Sequence, residues 1–276
     1  MLEQAFACRD DISLVSHDRS GDSSVLISFQ PVEHLTDTKW EGLIPLAMNA
    51  IHIWGIELDG SPHCLDQCAL WLDEAEQHKA MRMVREEDRH RYVLAHGGLR
   101  AVLSRYLGID PDRVELSRSE AGKPSLVGEL RGRTAITFNM SHAQGRALIA
   151  VSKGQEVGID LERIRFDVEV GKLSERYFTP SEHTAVMQST HEQRATRFFR
   201  YWVAKEAVLK AWGVGIRGLG QCEIVFGTDG FGAEVSALPD SAAQNNLRVC
   251  LLSCDDEWEA AVAAQDVGRI VQGGST

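Results

Sequence analysis

The order of local patterns predicts an α+β fold of two similar halves, each a small antiparallel sheet packed with helices. Three features carry that expectation. Alternating apolar and polar residues begin at Ile51-His52-Ile53-Trp54-Gly55-Ile56-Glu57-Leu58. Apolar residues then recur at three and four from Leu65 to Leu107, and a run of strands and helices resumes beyond Gly154. The halves are placed at 51–154 and 155–276, with 1–50 as an N-terminal extension of unassigned role. No sequence-level repeat proves a duplication.

Taken in order, the extension is mixed in pattern, with Ser-rich turns near Ser20 to Ser24 and one strand over Val25 to Phe29. The alternation at Ile51 to Leu58 is that of a half-buried strand. Two or three helices are predicted between Leu65 and Leu107, with Tyr92, Leu99, Val102, Leu103 and Tyr106 in their apolar stripe. Gly108 supplies a stop and Asp110-Pro111 a turn. Short strands follow at Val114 to Ser117, Ile136 to Ser141, Ala147 to Ser152 and Glu156 to Glu162. Pro180-Ser181-Glu182 reads as a helix start, and Arg194 to Trp212 as a long helix closed by Gly213 and Gly215. Cys222 to Val262 returns to strands.

A chain of 276 residues can bury a sizeable core. Lys and Arg number 29 against 40 Asp and Glu, and the net charge of −11 argues against general nucleic-acid binding. Residues 77–105 run against that sign, with Lys79, Arg82, Arg85, Arg89, Arg91, Arg100 and Arg105 facing Glu86, Glu87 and Asp88. A local basic face suits a polyanionic small molecule or an acidic protein, although each side chain taken singly could equally be a solvated helix residue. No apolar run reaches the roughly 18 residues that span a bilayer, and Met1 to Asp11 lacks the order of a signal peptide. A cytoplasmic protein without membrane association is therefore expected. Six cysteines are too few for a disulfide framework. The pairs Cys64/Cys68 and Cys250/Cys254, even with His63, lack the four suitably spaced ligands of a zinc site, so buried or incidental thiols are expected.

The chemistry concentrates in two segments. Val157-Gly158-Ile159-Asp160-Leu161-Glu162 is an apolar strand whose two carboxylates, at i and i+2, share one face. Like charges side by side repel unless a cation joins them. Trp202-Val203-Ala204-Lys205-Glu206-Ala207-Val208-Leu209-Lys210 is a helix that sets Glu206 and Lys210 one turn apart. Its surroundings are apolar nearly all round, so its charges must be paired or bound to something. Three carboxylates and an ammonium that converge would hold a hard divalent cation beside a phosphate. The plain alternatives are a solubilising strand face and a surface ion pair worth roughly 0.3–0.5 kcal/mol. Ser141-His142 lacks a nucleophile-elbow context, and a phosphate contact is physically easier than hydrolysis. Gly122-Lys123-Pro124 is a turn that presents one lysine and is no P-loop.

In order, Gly122-Lys123-Pro124, Phe138-Asn139-Met140-Ser141-His142, Val157 to Glu162, and Trp202 to Ala207 with Lys210 resemble the Sfp-type 4′-phosphopantetheinyl transferases, over about residue 51 to about residue 262. The resemblance implies a pseudo-dimer of two α+β halves with coenzyme A between them. It implies transfer of the phosphopantetheine arm to a serine of an apo acyl or peptidyl carrier protein, with release of 3′,5′-ADP. Asp160, Glu162 and Glu206 would hold Mg²⁺, with Mn²⁺ as a substitute. Lys123, Pro124, Ser141, His142 and Lys210 would contact coenzyme A, with Lys79 and Arg91 as further phosphate contacts. Glu206 is the candidate base for the serine hydroxyl, and Lys210 would stabilise the transition state or protonate the leaving phosphate. Val203 departs from the family, which usually has a small hydroxyl or thiol there. The internal pseudo-dimer makes a monomer the expectation. Two rivals use the same residues: a Mg²⁺-dependent coenzyme A pyrophosphate hydrolase, and a catalytically silent coenzyme A- or carrier-binding protein.

Overall fold

The computed structural model describes residues 25–36, 43–119, 122–227, 232–237, 247–268 and 270–272; the turns expected at Ser20 to Ser24 lie outside them. In chain order come β1 (Val25–Leu26), β2 (Phe29–Pro31), α1 (Glu33–Thr36), β3 (Ile51–Glu57), α2 (Pro62–Trp71), α3 (Glu74–Met81) and α4 (Glu86–Leu107). A 3-10 turn at Pro111–Arg113 leads to β4 (Leu116–Arg118), β5 (Pro124–Leu126), α5 (Gly128–Thr134), β6 (Ile136–Ala143), β7 (Arg146–Lys153) and β8 (Val157–Arg163). The rest comprises α6 (Val170–Tyr177), α7 (Pro180–Gln188), α8 (His191–Trp212), a 3-10 segment (Ile216–Gln221), β9 (Glu223–Phe226), β10 (Gly232–Ala237), β11 (Arg248–Ser253), β12 (Trp258–Ala264) and β13 (Ile270–Gln272).

The strands form two main sheets, ordered β13-β3-β7-β6 and β8-β12-β11-β10-β9, with β4 and β5 as a separate antiparallel pair. Strand alternation sorts the side chains into layers. Ile51 and Ile53 of β3, Leu148 and Ala150 of β7, Val157, Ile159 and Leu161 of β8, and Ala260 and Val262 of β12 form one buried cluster between the two sheets. Trp54, Ile56 and Ile149, from the other face of the first sheet, pack with α4 residues Leu94, Leu99 and Leu103. Ala261 and Ala263 pack instead with Val203, Ala207 and Val208 of α8. The molecule is thus helix, sheet, sheet, helix. Both outer helices are 22 residues long, and both stop on a left-handed glycine, Gly108 at φ 68° and Gly213 at φ 83°. The α+β architecture of two halves matches the sequence expectation.

The chain ends depart from a purely antiparallel plan. Ile51 to Ile53 of β3 pair in parallel with β13, and Gly55 to Glu57 pair in parallel with β2. The outer edge of β3 is therefore covered by the two terminal segments end to end, which removes an open ladder. β1 meanwhile pairs in parallel with β11 of the second sheet, and Val32 and Leu35 enter the core beside α4. Residues 25–36, read from sequence as part of an extension, strap both sheets. β13 likewise returns from the second half to the first sheet.

α8 lies directly on β8 because residue 158 has no side chain. A Cβ at Gly158 would collide with the backbone of Ala207 and Ala211. Gly158→Ala must push the helix off the strand or prevent folding. A loss of at least about 3 kcal/mol, the upper part of the overpacking range, is expected in denaturant titration of the variant.

Candidate active site

β6 ends the first sheet and β8 ends the second, and they meet through side chains instead of a backbone ladder. The Asn139 side-chain oxygen accepts from Ile159 N–H at 2.9 Å. Lys210 Nζ donates to the Ile159 carbonyl at 3.2 Å, to Asp160 Oδ1 at 2.7 Å and to Ser141 Oγ at 3.1 Å. Ser141 Oγ in turn donates to Asp160 Oδ1 at 2.8 Å. Both polar groups of Ile159 are thereby satisfied at an edge that no strand among the described residues covers. Alternation on β6 turns Ser141 toward this junction and His142 toward α4.

On the α8 side stand three carboxylates. Asp160 is buried, its Oδ1 bound as described and its Oδ2 without any partner among the described residues. Glu162 and Glu206 are half-buried and make no hydrogen bond or ion pair with a described residue. Burial, then the neighbouring Asp160 and Glu206, push Glu162 up to about 7. Burial and Asp160 also raise Glu206, against the pull of Lys210. No preformed cage of three or more ligating side chains exists among the described residues, and the cation nearest Asp160 is Lys210 itself.

On the α4 side stand cations. Lys79 Nζ lies over the Tyr92 ring at 5.0 Å, and partial desolvation followed by the neighbouring Arg118 lowers its pKa. His142 is an exposed residue whose ring is nonetheless crowded by neighbouring protein groups. That desolvation, with His96, Lys210 and Lys79 nearby, holds its imidazole down to about 4. Arg118 Nη2 reaches the Tyr92 hydroxyl at 3.5 Å and Glu76 at 3.6 Å. An ammonium, a guanidinium and an imidazole on one side of this junction and carboxylates on the other can together hold a polyphosphate whose far end reaches the carboxylates.

A family model described as "4'-phosphopantetheinyl transferase, N-terminal" matches residues 59–154, and the model "4'-phosphopantetheinyl transferase superfamily" matches residues 156–263. The chain is 35% identical over 225 residues to 4'-phosphopantetheinyl transferase HetI of Nostoc sp., covering 82% of this chain and 92% of that protein. It belongs to the 4′-phosphopantetheinyl transferase superfamily. It is also 28% identical to 4'-phosphopantetheinyl transferase Sfp of Bacillus subtilis, over 59% of this chain and 71% of that protein. A mouse relative, L-aminoadipate-semialdehyde dehydrogenase-phosphopantetheinyl transferase, is 30% identical over 54% and 55% of the two chains.

The two family models meet where the two sheets meet. The N-terminal match carries Lys79, Arg91, Lys123, Pro124, Ser141 and His142, and the superfamily match carries Asp160, Glu162, Glu206 and Lys210. The structure brings Ser141, Asp160 and Lys210 into direct contact and leaves Lys79, His142, Glu162 and Glu206 without hydrogen-bond or ion-pair partners among the described residues. Two expected phosphate contacts are already engaged. Lys123 Nζ pairs with Glu156 at 2.8 Å, and Arg91 with Glu87 at 2.7 Å and Asp59 at 3.3 Å. Pro124 opens β5 opposite Arg118. Arg118 and Tyr92 escaped the sequence reading, since neither lies in a spacing that marks a site. Lys205, next to Glu206, faces the opposite way. Its Nζ is sealed against Glu182 and the Cys222 carbonyl. Val203 is fully buried in the α8 core, where a hydroxyl would need a partner. Cys64 and Cys68 are buried thiols between α2 and α4.

The raised Glu162 carboxyl fixes the sign of a pH effect. Its native pKa of about 7 exceeds the ordinary 4.5, so the folded state holds the proton more tightly and stability falls as pH rises through that window. In the absence of divalent cations, Tm should drop between about pH 5 and pH 7.5. Glu162→Gln should flatten the drop, as differential scanning calorimetry of the two proteins will show.

Proposed function

We propose that the chain transfers the 4′-phosphopantetheine arm of coenzyme A to a serine of an apo acyl or peptidyl carrier protein and releases 3′,5′-ADP. The observation that carries this reading is the β6–β8 junction, where Lys79 on one side and the half-buried Glu162 and Glu206 on the other have no hydrogen-bond or ion-pair partner among the described residues, in a chain of this family. The nucleotide phosphates suit Lys79, Arg118 and His142. The pyrophosphate then lies along β6 toward Ser141 and Lys210.

The carboxylates fit a divalent cation on two counts: the buried Asp160 Oδ2 lacks a partner, and Glu162 and Glu206 are pushed up by crowding of like charge. Asp160, Glu162 and Glu206 are the residues that would hold Mg²⁺ or Mn²⁺, which when bound supplies neutralisation of the pyrophosphate. The carrier serine Oγ attacks the β-phosphorus, and the bond to the bridging oxygen breaks, with its electron pair leaving on 3′,5′-ADP. Glu206, made more basic by its surroundings, takes the serine proton directly or through a water. Lys210, fixed by three acceptors, neutralises or protonates the departing phosphate. Ser141 and Asp160 thus position Lys210. Lys123 and Arg91 contribute only after exchanging Glu156, Glu87 and Asp59 for phosphate.

The hydrolase and the silent binder find no support in the family assignment. Carrier proteins are typically acidic, so the −11 charge of this chain makes docking depend on its basic helical face and sensitive to salt.

Intact-protein mass spectrometry of apo carrier proteins incubated with coenzyme A, Mg²⁺ and the chain tests the reading. One phosphopantetheine per carrier is expected, forming roughly a hundredfold or more slowly with Glu206→Gln. Coenzyme A consumed with no carrier modified would restore the hydrolase; coenzyme A bound but intact would restore the silent binder.

A further inference from the structure

β6 and β8 share no backbone ladder among the described residues, so side chains must hold the seam between the two halves. One end of that seam is tied by the chain itself. β7 stops at Lys153 and β8 starts at Val157, and the buried Gln155 between them donates to the carbonyls of Asn49 at 2.9 Å and Asp266 at 3.0 Å. Arg146 opens β7 and so lies at the opposite end. Three segments distant in sequence meet on it. The centre of its guanidinium is 4.4 Å from that of the Phe29 ring and 5.0 Å from that of a Trp258 ring, and Nη1 donates to Asp255 at 2.5 Å. Beside it, Arg163 donates to the Gln144 side-chain oxygen at 3.1 Å and to Glu257 at 2.8 Å. Phe29 belongs to the strap, which crosses here from one sheet to the other. Ile27 N–H donates to the Ser253 carbonyl at 2.8 Å, and Phe29 already pairs with Gly55 of β3. A Cβ at residue 55 would stand 2.7 Å from the Ser28 carbonyl oxygen, so glycine makes room for the crossing.

We propose that Arg146 is a positioning residue for the transfer: with Phe29 of the strap and with Trp258 and Asp255 of the second half, it forms a clasp that closes the seam at the end away from residues 154–156. The inference rests on the transferase reading and adds to it a residue outside the reacting groups. Lys79, Ser141 and His142 belong to the first half, whereas Asp160, Glu162, Glu206 and Lys210 belong to the second. Transfer needs both sets around one pyrophosphate. A seam tied at one end alone would splay toward the other, and the displacement grows with distance from the tie. The clasp sits at the far end, where it opposes that motion best. A guanidinium suits the place because its plane lies against rings while its edge still reaches a carboxylate. An ammonium would keep the ion pair and lose the flat contact. The strap is thus more than a cover for the edge of β3, since its ring completes a joint between the halves.

The Ile159 amide reports on the seam, because its hydrogen bond crosses to Asn139. Amides inside the β3–β7 and β11–β12 ladders report on each sheet alone. In hydrogen exchange followed by NMR, Arg146→Met should speed exchange at Ile159 about tenfold or more while the ladder amides keep wild-type rates. Arg146→Lys, which keeps the pair with Asp255, should fall between the two. Phe29→Leu, which leaves Arg146 and its ion pair in place, should move Ile159 in the same direction and gives the test a second position. In transfer assays with coenzyme A and an apo carrier protein, kcat of Arg146→Met should fall roughly tenfold with KM for coenzyme A changed by less than about twofold, because the groups that receive the nucleotide are untouched and only their alignment with the carboxylates is lost. Arg146→Lys should recover part of kcat. Unchanged exchange at Ile159 in both Arg146→Met and Phe29→Leu, or exchange that quickens equally in the ladders, overturns the proposal. So does a wild-type kcat in a variant whose seam has loosened. Should wild-type protein modify no carrier, the transferase reading fails by itself, and the exchange rates still decide whether the clasp closes the seam.

Discussion

The structure turns on how Ile159 is satisfied. A strand at the end of a sheet exposes one row of amides and carbonyls, and the usual remedy is another strand. Here the remedy is two side chains, Asn139 from the facing strand and Lys210 from the helix above. A backbone ladder would have fused β6 to β8 into one continuous sheet at a spacing of roughly 4.8 Å. Side chains instead join the two sheets, which share one buried interior. Lys210 is consequently both a structural cap for a carbonyl and, among the described residues, the only ammonium bound to Asp160, so its position is set by the fold before any ligand is considered.

That arrangement separates charge. Unit charges 4 Å apart near a protein surface interact by about 4 kcal/mol, which gives unpaired groups of opposite sign every reason to meet. Lys79 nevertheless binds neither Glu162 nor Glu206: it is held over the Tyr92 ring, whereas Asp160 is engaged by Ser141 of β6. The fold keeps two complementary sets of groups apart. A ligand that is itself strung with charge along its length relieves both sets at once.

Much of this was readable in the chain. A period of two placed Asp160 and Glu162 on one face, and alternation against Val157, Ile159 and Leu161 told that the other face was core. The i,i+4 spacing placed Glu206 and Lys210 together, and an apolar helix around them required a buried setting. What escaped were relations between residues far apart in sequence. The engagement of Lys123 by Glu156 and of Arg91 by Asp59 links residues more than thirty positions apart, which no periodicity encodes. The same holds for Arg146 and Asp255, which belong to different halves. The strap at 25–36 was missed because strands of two or three residues are too short to alternate visibly. The helix α5, at 7 residues, is similarly too short for a stripe.

Lys205 and Glu206 show why neighbouring residues in one motif need separate explanations. Successive helix positions differ by about 100°, so the two side chains leave α8 in different directions. Glu206 stands near Asp160 and Lys210, whereas Lys205 is fully buried against Glu182, whose other oxygen accepts from the Ile224 amide at 2.8 Å and which also closes the capping box of α7. A buried ion pair is rarely a large net gain over an apolar pair of the same shape, yet removing one partner costs roughly 3–5 kcal/mol because the other is stranded. Its value here is directional: Lys205 ties α8 to α7 and β9 from behind, and Gly158 lets β8 press against it from the front. A helix held on both sides cannot roll, and a carboxylate on it keeps its place among like charges that would otherwise drive it away.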